Sequence, residues 1–266
     1  MKINFLYPEG KSKALTFSYD DGVIYDERLI EIFDKYGMKG AFNINSGLFG
    51  EGRRLPVEKI REMYANHEIN VHGLMHVTLP MLPKLQMVEE MMEDKRNLER
   101  LSGRIIRGAA YAYGWRNEET QSLLKTLDFS YVRLAGNSRS FIPPYDFYEW
   151  TMTCHHNNDL MATGENFLKA RHALALMSVW GHSYEFNDQN NWEVIEEFCK
   201  KMAFLPEIWY ATPIEICDYV TATRSVHTNV DGTLIHNTSG LTLWVKSENG
   251  PIQKIAPGET ITLEQA

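Results

Sequence analysis

Short apolar segments alternate with amphipathic helical segments from about residue 13 to residue 220, and this alternation constrains the fold most. The pattern predicts strands over 14–19, 40–44, 68–71, 105–110, 131–134, 175–180 and 208–211. It predicts helices over 27–36, 56–64, 82–101, 118–127, 167–173, 192–202 and 213–219. Repeated strand–helix units favour parallel strands with helices outside them. Seven units favour an α/β fold of the distorted (β/α)7 TIM-like barrel type over a doubly wound open sheet, although length alone does not separate the two.

The sequence changes character after residue 222. Residues 225–264 are rich in Thr, Val, Ile and Gly and contain the turn pairs Asp231-Gly232, Asn249-Gly250 and Pro257-Gly258. We therefore predict a βα barrel over residues 1–222 and a small all-β extension of three or four strands over 223–266. A segment this short seldom folds alone, so we expect it to pack on the barrel.

Composition excludes several classes of function. Thirty-five acidic against 27 basic side chains give a net charge of −8, which argues against a nucleic acid partner, because phosphate binding needs clustered Lys and Arg. We expect no membrane partner, because no uninterrupted apolar run reaches about 18 residues. No secretory signal is visible at the start, so we expect a cytoplasmic protein. Cys154, Cys199 and Cys217 lack metal or disulfide spacing and are expected to be structural.

Polar side chains follow the predicted strands at the point where each strand ends. The candidates after strands are Asp20, Asp21, His72, His76, Tyr111 and His182, and the strand before Tyr111 opens with a further candidate, Arg107. The carboxyl ends of parallel barrel strands meet at one rim, so these side chains are expected to lie close together. The four-residue spacing of His72 and His76 is weak evidence of a metal site by itself. A carboxylate beside them would complete three ligands with one position left for water.

Four segments in order resemble motifs of the polysaccharide deacetylases, the NodB-homology group of carbohydrate esterase family 4. Segments 16–22 (TFSYDDG) and 72–76 (HGLMH) are similar to the family's T-F-D-D-G and H-[ST]-x-x-H motifs. Segments 107–111 (RGAAY) and 180–182 (WGH) occupy the places of its R-P-P-Y and L-x-H motifs. The order and spacing agree across residues 13–215.

The resemblance implies a metal-dependent hydrolase that removes N- or O-acetyl groups from a carbohydrate. Asp21, His72 and His76 would hold a divalent metal, usually zinc, with nickel or cobalt as alternatives. Asp20 would be the general base for the attacking water, and His182 the general acid for the leaving group.

The same resemblance assigns three supporting residues. Arg107 would pair with Asp20 and keep the base ionised. Tyr111 would contact the substrate, with a backbone N–H near it meeting the charge on the carbonyl oxygen. Trp180 would form the wall against the acetyl methyl group.

The chain departs from the family pattern at several positions. Gly73 replaces the Ser or Thr expected to brace the loop, and Ala109-Ala110 replace two prolines. No segment matches the motif that supports the acid, so Glu149 is the candidate carboxylate for orienting His182. We expect Glu185 to be a solvated loop acid.

The adjacent histidines His155-His156 are expected to face opposite sides of a strand and not to share one metal. One would contact substrate, and the other would be structural.

Two other functions stay open. The same barrel and metal suit hydrolysis of another C–N bond in a small amide. A non-catalytic carbohydrate-binding protein could also keep the scaffold, although binding alone needs neither a base nor an acid. The sequence gives no indication of the oligomeric state.

Overall fold

A curved sheet of parallel strands forms the centre of the computed structural model, which describes residues 3–264. Its nine strands are β2 (Lys13–Asp20), β3 (Gly40–Ile44), β4 (Glu68–Val71), β5 (Gly108–Ala110), β6 (Tyr131–Leu134), β7 (Trp150–Thr151), β8 (Cys154–His155), β9 (Ala175–Gly181) and β10 (Ile208–Tyr210). The order is β7-β6-β5-β4-β3-β2-β9-β8, and β10 pairs with the first half of β2. The predicted distorted (β/α)7 barrel is confirmed.

Eight helices connect the strands in this part of the chain. They are α1 (Asp26–Lys35), α2 (Ile60–Met63), α3 (Lys84–Ser102), α4 (Glu118–Thr126), α5 (Leu160–Lys169), α6 (Ser183–Asp188), α7 (Glu193–Met202) and α8 (Pro213–Arg224). Amphipathic faces of these helices bury their apolar side chains against the sheet. None of the described helices combines the length and the apolar character needed to cross a membrane.

Strand β2 shows how the sheet separates apolar from polar side chains. All eight of its residues are buried. Leu15, Phe17 and Tyr19 belong to the apolar core that includes the helices. Successive strand residues point to opposite faces, so Ser18 and Asp20 lie on the other face. There, Asn43 Nδ2 donates to Ser18 Oγ at 2.8 Å and to Asp20 Oδ1 at 2.7 Å.

The predicted helix over 167–173 is wrong, because α5 spans Leu160–Lys169 instead. Leu160 and Phe167 give this helix its buried face, whereas residues 171–173 are exposed and have no apolar partner to stabilise a helix. The short helix α6, directly after β9, was not predicted.

The carboxyl-terminal extension forms two antiparallel sheets of three strands. Its strands are β11 (His227–Thr228), β12 (Leu234–His236), β13 (Leu243–Ser247), β14 (Gln253–Ile255) and β15 (Thr260–Thr262). One sheet has the order β11-β12-β15, and β1 (Ile3–Leu6) joins β13 and β14 in the other. The backbone N–H of Trp244 in β13 donates to the hydroxyl of Tyr219 in α8 at 3.1 Å. The extension thus contacts the barrel, while the division at residue 222 stays a prediction.

We predict that the extension unfolds together with the barrel. Leu243 is fully buried in the cluster that also contains Tyr219 of the barrel helix α8. Leu243→Ala should therefore lower the free energy of unfolding by about 2–5 kcal/mol, measured by chemical denaturation. Leu241→Ala is the matched control: this side chain is 40% exposed, and its loss should cost less than about 0.5 kcal/mol. Two separate unfolding transitions in the wild type would contradict the prediction.

Candidate active site

Asp20, the last residue of β2, is a buried carboxylate at the rim. Only 3% of its surface is exposed, and its Oδ1 accepts hydrogen bonds from Asn43 and from the Arg133 guanidinium. Burial alone would raise the pKa of Asp20. The positive Arg133, followed by His72 and His182, outweighs burial and holds that pKa well below its usual range. Asp20 is therefore ionised and able to accept a proton.

The predicted pairing of Arg107 with Asp20 is wrong. Arg107 Nη1 lies 3.1 Å from Asp218 Oδ1 instead. Strand β5 begins at Gly108 and not at residue 105, so Arg107 precedes the strand and lies at its amino end. Arg133 lies beside Asp20 instead. It comes from β6, the strand next to β5, where it is in register with Ala110. Arg133 is the single charged residue of β6, which is a signal that sequence analysis could have used.

Asp21, His72 and His76 come together as predicted. Their ligand atoms all lie within 4.8 Å of one another. Asp21 Oδ1 is 3.5 Å from His76 Nε2 and 4.0 Å from His72 Nε2. Arg54 Nη1 lies 2.9 Å from the same oxygen without the alignment of a hydrogen bond. One carboxylate and two imidazoles form a donor set typical of catalytic zinc.

The tautomer of His72 also suits a cation. Its Nδ1 lies 2.9 Å from Ala110 O, and a carbonyl can only accept, so Nδ1 carries the proton and Nε2 is bare. Burial lowers the pKa of His72. Burial and the neighbouring His72 lower the pKa of His76 to about 4. Both rings are therefore neutral near pH 7, as metal ligands must be.

Two acids on α3 brace the loop that carries these histidines. Asp94 accepts the backbone N–H of His72 at 3.0 Å, and Glu90 Oε1 accepts that of Met75 at 2.8 Å. Gly73 has φ 84°, and a Cβ there would lie 3.0 Å from Glu90 Oε1. The buried carboxylate of Glu90 thus braces the loop, the role that was expected of a Ser or Thr hydroxyl at position 73. Sequence analysis missed both acids, although they share a helix face with buried Met91.

The tyrosine nearest to His76 is not the predicted one. Tyr111 is 3% exposed and belongs to the apolar core, and its backbone N–H donates to Arg133 O at 3.1 Å within the sheet. Tyr113 is 62% exposed, and its ring centroid lies 4.6 Å from that of His76. Tyr111 is therefore buried away from the site, and Tyr113 is the exposed tyrosine beside His76. Tyr113 has φ 58°, in the left-handed region, within the short turn that follows β5.

Trp180 lies at the rim as predicted and is half-buried. The Arg133 guanidinium lies over its ring, 5.2 Å from the centroid. Its Nε1 donates to Asn137 Oδ1 at 3.3 Å. The ring centroid of His182 is 6.1 Å away. The ring of Trp180 therefore provides an apolar surface beside both Arg133 and His182.

His182 lies between two carboxylates. Its Nε2 is 3.8 Å from Asp20 Oδ2, and its Nδ1 is 3.3 Å from Glu185 Oε2. Burial would lower the pKa of His182, but the hydrogen bond to Glu185 and the charge of Asp20 raise it. Glu149 does not orient this ring, because it pairs with Arg116 at 2.8 Å. Glu185 is likewise not a solvated loop acid.

Glu185 also contacts both adjacent histidines. Its Oε2 lies 3.1 Å from His155 Nε2 and 3.2 Å from His156 Nε2. The predicted separation of the two rings to opposite faces is wrong, since β8 ends at His155 and strand alternation stops there. This group has the spacing of a metal site, with ligand atoms within 4.8 Å of one another.

We predict that restoring the family's serine at position 73 weakens zinc binding. Gly73→Ser puts a side chain at positive φ, which costs about 1–3 kcal/mol, and displaces Glu90 from the Met75 N–H. Gly50→Ser is the control, because φ there is 76° with nothing within 4 Å of a Cβ. Both variants should lower the melting temperature, and only Gly73→Ser should lower zinc affinity in a competition titration. Unchanged or tighter zinc binding in Gly73→Ser would contradict the assignment of Glu90.

Residues 7–132 match the family model described as polysaccharide deacetylase. No curated protein sequence matches the chain.

Several solved structures have a similar fold. A protein assigned as a polysaccharide deacetylase from Mycobacterium smegmatis has a TM-score of 0.62 and 16% identity, over 83% of this chain and 94% of that one. A carbohydrate esterase family 4 pseudoenzyme from Bacillus anthracis has a TM-score of 0.51 and 15% identity, over 80% and 68%. A Streptococcus pyogenes deacetylase solved with acetate has a TM-score of 0.44 and 22% identity. The match covers 45% of this chain and spans only 55% of the length of that protein. For the first two structures, identities this low show the shared fold alone. The family predicted from the motifs is thus confirmed by the family model, over residues 7–132.

Proposed function

We propose that the protein is a metal-dependent hydrolase that removes acetyl groups from a carbohydrate. The observation that carries the proposal is the convergence of three groups at one rim. These are an ionised buried base, Asp20, an imidazole 3.8 Å from it, His182, and the set Asp21, His72 and His76. The family match over residues 7–132 supports the same reaction class.

Asp21, His72 and His76 are the residues that would hold the cation. The buried, poorly hydrogen-bonded Asp21 Oδ1 and the bare His72 Nε2 both suit it. A bound divalent ion, zinc by this donor set or else nickel or cobalt, would polarise water and the acetyl carbonyl as a Lewis acid.

The chain's own groups carry the protons. Asp20 takes the proton of the attacking water as the new bond to the acetyl carbon forms. His182 gives a proton to the nitrogen or oxygen that leaves when the acetyl bond breaks. The products are acetate and the free amine or alcohol. Arg133 keeps Asp20 ionised and aimed at the site.

Aromatic side chains flank the site on both sides and support a carbohydrate substrate. Tyr113 stands beside His76, with 4.6 Å between ring centroids. Tyr184 and Trp180 stand beside His182, with centroids 5.0 and 6.1 Å away. Such rings suit the apolar faces of sugar units, and Trp180 offers a wall to the acetyl methyl group.

The first test compares wild type, His76→Ala and Asp20→Asn. Elemental analysis after zinc loading should find one ion at this site in the wild type and in Asp20→Asn, and none there in His76→Ala. Acetate release from acetylated chito- or xylo-oligosaccharides should fall about 10²–10⁴-fold in Asp20→Asn. Metal binding without acetate release would favour hydrolysis of another small amide. No metal binding in the wild type would favour the non-catalytic binding protein.

We also predict that the two arginines respond differently to substitution. Arg133→Lys keeps the charge but loses the planar fork that meets Asp20, and should lower kcat by about tenfold or more. Arg107→Lys is the matched control, because Arg107 pairs with Asp218 and not with Asp20, and should leave kcat unchanged. Circular dichroism would show that both variants are folded. Equal effects on kcat would contradict the assignment of Arg133 to the site.

A further inference from the structure

We propose that His155 and Glu185 form a positioning pair that fixes the tautomer and the aim of His182. This inference rests on the proposed role of His182 as general acid. Four contacts converge on one oxygen, Glu185 Oε2, and they come from His155, His156 and His182. The protons of His155 and His182 can each be placed from the chemistry of their partners.

The proton of His155 can be placed first. The backbone N–H of Asn157 donates to His155 Nδ1 at 3.1 Å. An accepting Nδ1 carries no proton, so the neutral ring holds its proton on Nε2. That nitrogen lies 3.1 Å from Glu185 Oε2. The protonated nitrogen of His155 therefore faces the carboxylate, and the backbone amide of Asn157 fixes which nitrogen carries the proton.

The proton of His182 follows from the same oxygen. Glu185 Oε2 accepts the backbone N–H of His182 at 3.1 Å and lies 3.3 Å from its Nδ1. Burial opposes ionisation of Glu185, but hydrogen bonds from His155 and His182 hold its pKa well below the usual range. An ionised carboxylate only accepts, so His182 Nδ1 carries a proton. Nε2, facing Asp20, is then the nitrogen that can exchange a proton with the substrate.

The adjacent ring, His156, fills the space behind this pair. It is 1% exposed and lies between Tyr19 and Phe186, whose ring centroids are 5.7 and 4.1 Å away. Gly181 makes room for it, since a Cβ at that position would lie 2.0 Å from His156 Nδ1. The packed rings prevent Glu185 from turning away from His182.

The tautomer of His155 also decides against a second metal site here. A metal ligand needs a bare nitrogen, and the Asn157 N–H leaves the proton on the nitrogen that faces Glu185. The His155 nitrogen that faces Glu185 is therefore not free to bind a metal, despite the metal-like spacing of the His155–His156–Glu185 group.

The test uses zinc-loaded protein and the variants His155→Ala, His155→Gln and Glu185→Gln, with exposed His172→Ala as control. His155→Ala and Glu185→Gln should lower kcat about 10–100-fold, the range for groups behind a reacting residue, with KM unchanged. His155→Gln should recover most of kcat, because its amide can donate from nearly the same place. ¹⁵N spectra of labelled histidine should show His182 protonated on Nδ1 in wild type and in the control, and mixed tautomers in His155→Ala.

Two results would overturn the proposal. One is an unchanged His182 tautomer and unchanged kcat in His155→Ala. The other is a second bound zinc that survives His76→Ala and is lost in His155→Ala, which would make the cluster a metal site. The tautomer is measured without turnover, so an inactive wild type would reject the proposed function and still leave the positioning pair testable.

Discussion

The ion pair between Asp20 and Arg133 is the interaction on which the rest of the site depends. A carboxylate that is 3% exposed would ordinarily take up a proton and cease to be a base. Arg133 of β6 prevents this, although three strands separate β6 from β2 in the curved sheet, and Asn43 supplies a second donor to the same oxygen. A buried pair contributes little net stability, because desolvation of both ions offsets their attraction. Its value in this fold lies in an ionised base held at a fixed place.

The fold and half of the site could be predicted because both follow from local patterns. Each strand ends close to where its buried apolar run ends. The polar residues that follow these runs, Asp20, Asp21, His72 and His182, could therefore be placed at one rim. The predicted pairing of Arg107 with Asp20 was wrong because it depended on where β5 begins. The strand begins at residue 108 and not at residue 105, so Arg107 lies at the opposite end of the barrel. Arg133 could not be placed by motif, since its position depends on the register of β6 against β5.

The supporting residues were harder to predict because they come from elements distant in sequence. Glu90 and Asp94 reach the His72 loop from α3, and nothing in the local spacing indicates that contact. Glu185 was expected in solvent because α6 was not predicted, and a loop acid is ordinarily hydrated. The sequence signal for Glu90 and Asp94 was an acid on the apolar face of a helix. A buried acid needs hydrogen-bond donors, and unpaired backbone N–H groups of a nearby loop can supply them.

The fold is shared with a pseudoenzyme, so fold alone does not decide between catalysis and binding. The conformational cost at the rim bears on that decision. Asp21 and His76 have φ values of 84° and 54°, in the left-handed region that side chains disfavour, and each costs about 1–3 kcal/mol. A surface for sugar binding can be built from relaxed aromatic and amide side chains. The strain at Asp21 and His76 and the desolvation of the buried Asp20 both cost stability, and this cost supports the proposal that the site holds a cation and moves protons.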